Sequence, residues 1–357
     1  MKKRILSLIG GLVAVSAQAI TPLWLRDTQV SPDGTAIAFC YKGDIYTVSA
    51  QGGTARQLTT QASYECNPIW SPDGKQIAFA SDRDGNFDIY IMSVHGGSAK
   101  KLTKNSASEL PSAFTPDGKY VVFSANIQDP AQSAFFPSGA MTELYKVPVA
   151  GGRTQQIIAT PAEAVCYMPD GQSFLYQDRK GVEDEWRKHH TSSVTRDVWL
   201  YDGKSGKHTN LTNIGGEDRD PSLAPDGKTV YFLSERKGGS MNVYSMDVNN
   251  PSNIQAVTSF KTHPVRFLSV ANNGLICYAY DGEIYTQEAN GKAKKVAIDI
   301  TRDDSEQVAD LKVSGARSAT VSPDGKQIAF IYRGEVFVTS ADYATTKQIT
   351  YTPAAEQ

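Results

Sequence analysis

The stretch that decides the fold is Ser71–Thr103, SPDGKQIAFASDRDGNFDIYIMSVHGGSAKKLT. It opens with Ser-Pro-Asp-Gly, where proline presets a turn, aspartate accepts hydrogen bonds from nearby amides and glycine tolerates positive φ. Short apolar segments and further turn sequences alternate after it. Together with the residues just before it, the stretch predicts four antiparallel strands in about 40 residues, which is typical of one propeller blade. The predicted strands are Cys66–Trp70, Gln76–Ala80, Asp88–Val94 and Lys100–Thr103.

The same turn sequence recurs along the chain at intervals of 40 to 56 residues. Repeats of this length are typical of propeller blades. Seven copies predict an all-β fold, a seven-bladed β-propeller of four-stranded antiparallel blades in which each blade uses consecutive strands. Closure of the ring is then expected to rest on packing between blades alone. The copies are Ser31–Gly34, Ser71–Gly74, Thr115–Gly118, Met168–Gly171, Ala224–Gly227, the divergent Ala271–Gly274 and Ser322–Gly325.

Two further columns of residues fix the register of the repeat. The third strand of each unit opens with an acid or amide before an apolar–aromatic pair, and the fourth strand often ends in Leu-Thr or a close variant. We interpret the first column as structural, because Asp and Asn readily hydrogen-bond local backbone. It consists of Asp44, Asp88, Glu143, Asp197, Asn242, Glu283 and Glu335.

The innermost strands carry prolines, which cannot donate to a sheet ladder and are therefore confined to edges. In a blade, the innermost strand has one edge facing the central channel, so we predict the prolines there. The middle strands are nearly continuous apolar runs, which predicts burial on both faces by neighbouring blades. The prolines are Pro68, Pro111, Pro221 and Pro264.

Residues 1–19 are predicted to be a cleavable signal peptide. A basic start is followed by the apolar Ile5–Val15 and by Ala17-Gln18-Ala19, an A-x-A cleavage site. The apolar stretch is too short to span a bilayer comfortably. We therefore expect cleavage after Ala19 and a periplasmic or secreted protein.

The remaining chain is predicted to be one body over residues 20–351, with 352–357 beginning a crossover to a further segment. A formal net charge of −2 predicts no general attraction to nucleic acid. The cysteines show no metal-like spacing and lie in or beside apolar strands, so we expect buried single thiols. They are Cys40, Cys66, Cys166 and Cys277.

Two long insertions, Asn126–Met141 and Asp178–Arg196, separate the second and third strands of neighbouring units. Because strands alternate in direction, both insertions should lie side by side on the face opposite the SPDG-type turns. Their aromatic and basic residues predict a surface that docks a partner, with aromatic anchors and charged rim contacts. The alternative is that the loops merely cap the propeller. The candidate residues are Phe135, Phe136, Trp186, Arg187, Lys188 and Arg196.

Catalytic and metal-binding motifs are not found in the sequence. There is no G-x-S-x-G elbow, no H-E-x-x-H and no Walker-type loop. His189-His190 beside Glu185 lacks a suitably spaced third ligand, and Asp82–Asp88 departs from a calcium loop in its glycine position. We therefore predict no catalytic residue, no metal and no cofactor in this chain.

The repeat x-P-x-W-S-P-D-G-K-x-I-A-F-x-S-x-R-D-G-x-x-D-I-Y resembles the β-propeller repeats of TolB and of tricorn-type peptidases, over Trp24–Thr350. TolB has a small α/β domain before its propeller, whereas here the first repeat begins almost at the cleavage site. Exported tricorn-like serine peptidases go from a signal peptide straight into propeller repeats, with a catalytic core and a PDZ domain later in the chain. The sequence looks like that N-terminal part.

The resemblance implies a non-catalytic module of an exported tricorn-like serine peptidase that binds or gates peptides and docks other domains. Its partners would be peptide or protein ligands and downstream peptidase and PDZ-like domains of the same polypeptide. The alternative is a stand-alone, TolB-like periplasmic scaffold that binds protein, and a third class is an enzyme in its own right. Peptide access predicts a polar, open channel, whereas a scaffold predicts a decorated face and an occluded channel.

Overall fold

A computed structural model describes residues 19–127, 141–182, 186, 192–237, 239–301, 315–343, 345–350 and 352–356. Within these residues the chain forms thirty strands and no helix. A helix suited to crossing a bilayer is accordingly absent from the described ranges. The predicted all-β fold with seven four-stranded antiparallel blades is confirmed, and each blade uses four consecutive strands.

We number the sheets one to seven in chain order. Sheets one to four contain β2 (Arg26–Val30), β3 (Ala36–Tyr41), β4 (Asp44–Ser49) and β5 (Gly53–Gln57); β6 (Glu65–Trp70), β7 (Gln76–Ser81), β8 (Asp88–Ser93) and β9 (Lys100–Lys101); β10 (Leu110–Phe114), β11 (Tyr120–Ala125), β12 (Glu143–Pro148) and β13 (Gln155–Ile158); and β14 (Ala162–Tyr167), β15 (Phe174–Asp178), β16 (Val198–Tyr201) and β17 (His208–Asn210).

Sheets five to seven follow the same plan, and two short strands join sheet one. Sheets five to seven contain β18 (Asp218–Leu223), β19 (Thr229–Ser234), β20 (Asn242–Asp247) and β21 (Asn250–Ala256); β22 (Val265–Val270), β23 (Ile276–Tyr280), β24 (Glu283–Gln287) and β25 (Lys294–Lys295); and β27 (Arg317–Val321), β28 (Gln327–Tyr332), β29 (Glu335–Ser340) and β30 (Thr346–Gln348). The two added strands are β1 (Ala19–Ile20) and β26 (Ile298–Thr301).

The middle strands form the core. In β7 five consecutive residues are buried, and the same pattern recurs in β3, β11 and β19. The phenylalanines of these strands are fully buried, each contributing roughly 2–3 kcal/mol to stability; they are Phe39, Phe79, Phe123 and Phe232. Burial on both faces therefore explains the continuous apolar runs.

The innermost strands are edge strands, as their prolines predicted. Pro68, Pro111 and Pro221 lie within β6, β10 and β18, each at the end of its sheet, and Pro264 immediately precedes β22. All the innermost strands carry a β-bulge, which bends the strand and increases its twist. Because these strands are at the edge of their sheets, the absence of an N–H group on proline removes no hydrogen bond between strands.

Six of the seven sheets close a ring among themselves. Each innermost strand packs against the next, in the cycle β2, β6, β10, β14, β18, β22 and back to β2. At the junction, the Val30 N–H donates to Ser269 Oγ at 3.1 Å and Thr28 Oγ1 donates to the Phe267 carbonyl at 3.0 Å. The seven sheets predicted over 20–351 are therefore grouped as a ring of six and a separate seventh.

The ring is also fastened by hydrogen bonds between strands. After sheet six the chain runs to the outer edge of sheet one, where β26 pairs in parallel with β5 and in antiparallel with β1. Ile298 and Ile300 are buried in the core that sheets one and six share. The expectation that closure rests on packing between blades alone is therefore corrected, because a strand that follows sheet six completes sheet one.

Sheet seven lies outside this ring. Among its described residues only Glu335 is buried, and none belongs to a hydrophobic core cluster. It meets the ring at the turn between β3 and β4 through two ion pairs, Lys42 with Glu335 and Arg333 with Asp44. Polar contacts therefore hold sheet seven on the face of the ring where β11 and β15 end and β12 and β16 begin.

The acidic column and the Leu-Thr column are one structural device. In sheet one, the Ile45 N–H donates to Thr59 Oγ1 at 2.9 Å, and that hydroxyl donates to Asp44 Oδ1 at 3.3 Å. The same arrangement recurs in sheets four, five and seven. The predicted structural role is thus correct: in these sheets the acid or amide accepts from the threonine hydroxyl, and Asn242 also bonds local backbone, as predicted.

Candidate functional site

The candidate site lies where the axis of the ring meets the face of the long insertions. Trp186 belongs to the connection between β15 and β16 of sheet four, yet it contacts sheets one and six. In a ring of six, sheet four lies opposite sheet one. Trp186 therefore reaches across the channel, and its side chain remains 40% exposed.

Two guanidinium groups lie over the Trp186 ring. The Cζ atoms of Arg26 and Arg266 are 4.5 Å and 5.0 Å from the ring centroid, which is the geometry of cation–π contacts. Arg266 Nη2 also donates to the Trp186 carbonyl at 3.0 Å, and the Phe267 ring meets Trp186 edge-on at 6.1 Å. These contacts fix the indole at the mouth of the channel.

A cavity of about 240 Å³ opens beside this cluster. One wall is Trp24–Arg26, which leads into sheet one, and another is the β23–β24 turn with Tyr280. The walls are joined by a hydrogen bond of 2.9 Å from the Leu25 N–H to the Gly282 carbonyl. A Cβ at Gly282 would lie 2.9 Å from the Trp24 nitrogen, so this close approach requires glycine.

Among the described residues that line the cavity, two arginines, one histidine and one aspartate carry titratable or charged groups. Arg26 and Arg266 lie on one side, and on the other His263 Nε2 is 3.4 Å from Asp281 Oδ1. Aromatic rings next to guanidinium groups suit a ligand with both an anionic and an apolar part. The arrangement is a candidate binding site, and the described residues hold no cluster of His, Cys, Asp and Glu suited to a metal ion.

Arg196 occupies a different position from the one predicted for it. Its side chain is only 4% exposed and lies between sheets four and five. Arg196 Nη1 is 2.7 Å from Glu217 Oε1, and Arg196 Nε is 3.6 Å from Glu163 Oε2. Burial raises the pKa of Glu163, but Arg179 and Arg196 outweigh this and hold that pKa below its ordinary value. Arg196 therefore joins two blades and offers no rim contact to a partner.

The other predicted surface residues, Phe135, Phe136, Arg187 and Lys188, lie outside the described residues. The insertions that carry them connect β11 to β12 and β15 to β16, which places their attachment points opposite the SPDG-type turns. Their adjacency on that face stays a prediction. Trp186 is the one residue of the predicted surface that the structure both describes and places at an exposed site.

The sequence did not single out Arg26, Arg266 or Phe267. Arg26 and Arg266 immediately precede the bulge of the innermost strands β2 and β22, and Arg219 and Arg317 occupy the same position in β18 and β27. An arginine at the first bulge of four innermost strands is a pattern that could have pointed to the axis. Which of the four meet Trp186 depends on ring closure, which the pattern does not encode.

Glu109 is a buried acidic residue immediately before the innermost strand of sheet three. The acidic residues at the same position in other sheets have side-chain hydrogen-bond donors that Glu109 lacks among the described residues. At the equivalent positions, Ser81 Oγ donates to Glu65 at 2.8 Å and Arg236 Nη2 donates to Asp218 at 3.2 Å. In sheet three, the register places Ala125 opposite Glu109, so the serine is missing. Neither Glu109 oxygen has a hydrogen-bond partner within the described ranges, and burial raises the pKa of Glu109 to about 7.

Glu109→Gln is expected to make the protein more stable at pH 8 by about 2–3 kcal/mol. The ordinary pKa is 4.5, so between pH 4.5 and about 7 the native state keeps a proton that the unfolded state has released. The stabilisation that the native state gains by keeping the Glu109 carboxyl neutral is fully present below pH 4.5, and it is lost as the pH rises through about 7. Urea denaturation from pH 4 to 8 measures this; Glu288→Gln, at an exposed glutamate, is the control. Equal pH dependence in wild type and Glu109→Gln would contradict the prediction.

A closed ring of six four-stranded sheets around a central axis defines a β-propeller. The model of the family described as the tricorn protease N-terminal beta propeller domain matches residues 22–293. The chain therefore belongs to this family. The match begins just before sheet one, covers the first three strands of sheet six and ends one residue before β25, so sheet seven lies beyond it.

Relatives and solved structures agree with this assignment. An uncharacterized protein of Agrobacterium fabrum is 25% identical over 53% of this chain and 61% of its own length. Dipeptidyl-peptidase 5 of Porphyromonas gingivalis is 27% identical over 67% of this chain and 41% of its own. The chain thus spans about half the length of these relatives.

Two solved structures share the fold. The tricorn protease structure matches 93% of this chain and 32% of its own chain, with a TM-score of 0.65 and 21% identity. TolB from Acinetobacter baumannii matches 78% of this chain and 67% of its own, with a TM-score of 0.55 and 18% identity. At these identities the likeness concerns the fold alone.

Proposed function

We propose that this chain is the propeller module of an exported tricorn-like serine peptidase, and that it binds peptides without catalysing their hydrolysis. The observation that carries the proposal is the cavity beside Trp186, where aromatic rings and guanidinium groups meet at the ring axis. A peptide offers the apolar side chains and carboxylates that such a site binds. The part of dipeptidyl-peptidase 5 that this chain matches is 41% of that peptidase's length, which is consistent with a module of a larger enzyme.

The module would act in the periplasm or outside the cell, where the signal sequence in residues 1–19 would direct it. Peptides would be held or gated at the channel mouth. The same face, which bears the long insertions and sheet seven, would dock peptidase and PDZ-like domains of the same polypeptide. No catalytic residue, cofactor or metal is assigned to the module.

The first test is retention of peptides from a tryptic digest, separated with the protein by size exclusion and identified by mass spectrometry. Trp186→Ala is expected to lower the retained amount about tenfold, because the indole is a principal wall of the cavity. Tyr343→Ala, at an aromatic residue that is 75% exposed on sheet seven, is the matched control. Equal retention by the wild type and Trp186→Ala, or no retention at all, would contradict the proposal.

The second test concerns chemistry. The chain is expected to hydrolyse neither peptides nor esters, and a fluorophosphonate probe for active serines should leave it unlabelled. Heat-denatured protein gives the background for this measurement. Stoichiometric labelling of one serine in the native protein alone would overturn the non-catalytic assignment.

A TolB-like protein-binding scaffold is the second candidate, and one observation favours it. Trp186 lies across the mouth of the channel, which suits an occluded channel with a decorated face better than free passage. A scaffold would bind a folded protein and retain no peptides from the digest. The retention experiment therefore separates the two candidates.

A further inference from the structure

We propose that the cavity beside Trp186 recognises a carboxylate that is carried next to an apolar or aromatic group. This inference rests on the peptide-binding function proposed above and names the chemistry that the site selects. The cavity of about 240 Å³ has room for one or two residues. It therefore suits the end of a peptide, or one acidic residue with an apolar neighbour, better than a folded segment.

The apolar part of the ligand would lie against the rings that line the cavity. Trp24 is 44% exposed beside Pro264, Phe267 and Tyr280, and Leu25 behind them is buried. Single exposed aromatic residues are ordinary, but these lie together with Trp186 around one cavity. Burial of a ligand side chain there would remove apolar surface of both molecules from water.

The anionic part would meet Arg26. Within the described residues Arg26 forms no ion pair, and its contact with Trp186 uses the face of the guanidinium group. A guanidinium group that lies over a ring keeps N–H donors at its edge, and these can bind a carboxylate in a two-point arrangement. Because the guanidinium group is weakly hydrated, it suits a partly buried ion pair.

The other charged groups at the cavity do not compete for this role. Arg266 donates to the Trp186 carbonyl and lies on the same indole, so its guanidinium group is already engaged. Among the described residues of the cavity lining, Asp281 is the one carboxylate, and it faces His263 at 3.4 Å. Within the part of the chain that the structure describes, Arg26 is therefore the charged group placed to meet an anionic ligand beside Trp186.

Two sources can supply this ligand chemistry, the C-terminal carboxylate of a peptide and an aspartate or glutamate side chain. Three synthetic probes separate them: acetyl-Ala-Ala-Phe with a free carboxylate, the same peptide as its amide, and acetyl-Ala-Glu-Phe amide. Isothermal titration with the full chain measures their affinities. We expect the amide without glutamate to bind at least tenfold more weakly than one of the two carboxylate probes, and the stronger of those two identifies the source.

Arg26→Met is expected to reduce binding of the preferred carboxylate probe about tenfold and to leave the uncharged amide unchanged. Arg26→Gln, which keeps a polar side chain, should reduce binding to the same extent. Agreement between the two variants would show that the loss of charge, and not altered packing of methionine, causes the effect. Arg317→Met, at an exposed arginine in the equivalent position of sheet seven, is the matched control. Thermal melts of all variants verify that the ring is intact.

The inference is overturned if all three probes bind equally, if none binds, or if Arg26→Met weakens the amide as much as the acid. Its failure is distinguishable from failure of the proposed function. Peptides retained from the digest in a manner that depends on Trp186 but not on Arg26 would uphold peptide binding and remove the carboxylate preference. Absence of any retained peptide would remove both.

Discussion

Arg196→Met is expected to lower the free energy of unfolding by about 3–5 kcal/mol, since it removes the guanidinium group that is paired with the buried carboxylate of Glu217. Arg196 and Glu217 are each only 4% exposed at the side chain, and they join the entrances of β16 and β18 at 2.7 Å. Glu163 would keep Arg179, whereas Glu217 would lose its guanidinium partner and keep the hydrogen bond from the Arg196 backbone N–H at 3.3 Å. Urea denaturation measures the loss.

Two further variants make this result decisive. Arg196→Met combined with Glu217→Leu removes both charges, and it should be less destabilised than the single variant because no unpaired charge stays buried. Arg153→Met removes an exposed arginine and should change stability by less than about 0.5 kcal/mol. If Arg196→Met is as mild as Arg153→Met, then Arg196 behaves as the exposed rim residue that the sequence suggested, and the buried bridge is refuted.

The blades themselves could be predicted from the sequence because their signals are local. The Ser31 and Ser71 hydroxyls donate to the aspartates two residues on, Asp33 and Asp73, at 2.6 Å in both turns. In all seven turns the Asp or Asn at the third position accepts from the backbone N–H two residues further on, so each turn reports its own unit. The proline positions and the apolar runs are equally local, which is why strand order and edges were predicted correctly.

The grouping of the blades could not be predicted in this way. Sheet seven has the same turn, the same acidic residue and the same threonine as the others. Closure depends on contacts such as that between Val30 and Ser269, which lie 239 residues apart. A repeated pattern gives the number of blades, but it does not show which blade packs against the first, because the faces of all blades are similar.

The candidate site shows the same limit. Trp186 was predicted as an aromatic anchor on the insertion-bearing face, and the structure places it there, half-exposed. Its neighbours Arg26 and Arg266 come from other blades, and the hydrogen bond from Arg266 to Trp186 joins residues 80 positions apart. The types of residue in the site were therefore foreseeable on the insertion, but the cavity that they form with sheets one and six was not.

Sheet seven is expected to detach from the ring when Lys42 is replaced by glutamate. Lys42 and Glu335 are 5% and 6% exposed at the side chain, and reversal of one charge would place two carboxylates in one buried contact. Arg333 and Asp44 form the reciprocal pair at 2.6 Å. The two turns, Tyr41–Asp44 and Tyr332–Glu335, thus exchange ion pairs across the interface, and the loss of one weakens the alignment of the other.

The expected cost to docking is about 3–5 kcal/mol, which is the usual effect of breaking a buried ion pair. No sheet seven residue joins a core cluster within the described residues, so apolar packing there does not compensate. Hydrogen exchange reports the result directly: in Lys42→Glu, the amides of β28 and β29 should lose protection while β7 and β11 in the ring retain theirs.

Restoration by the second charge reversal tests the cause. Glu335→Lys alone should detach sheet seven as Lys42→Glu does, whereas the double variant carries opposite charges again and should recover most of the protection. Lys347→Glu, which reverses an exposed lysine on β30, should change nothing. If the double variant is no better protected than either single one, the ion pair is incidental, and other contacts, such as those of Tyr41 and Lys42 with the backbone of 352–353, hold sheet seven in place.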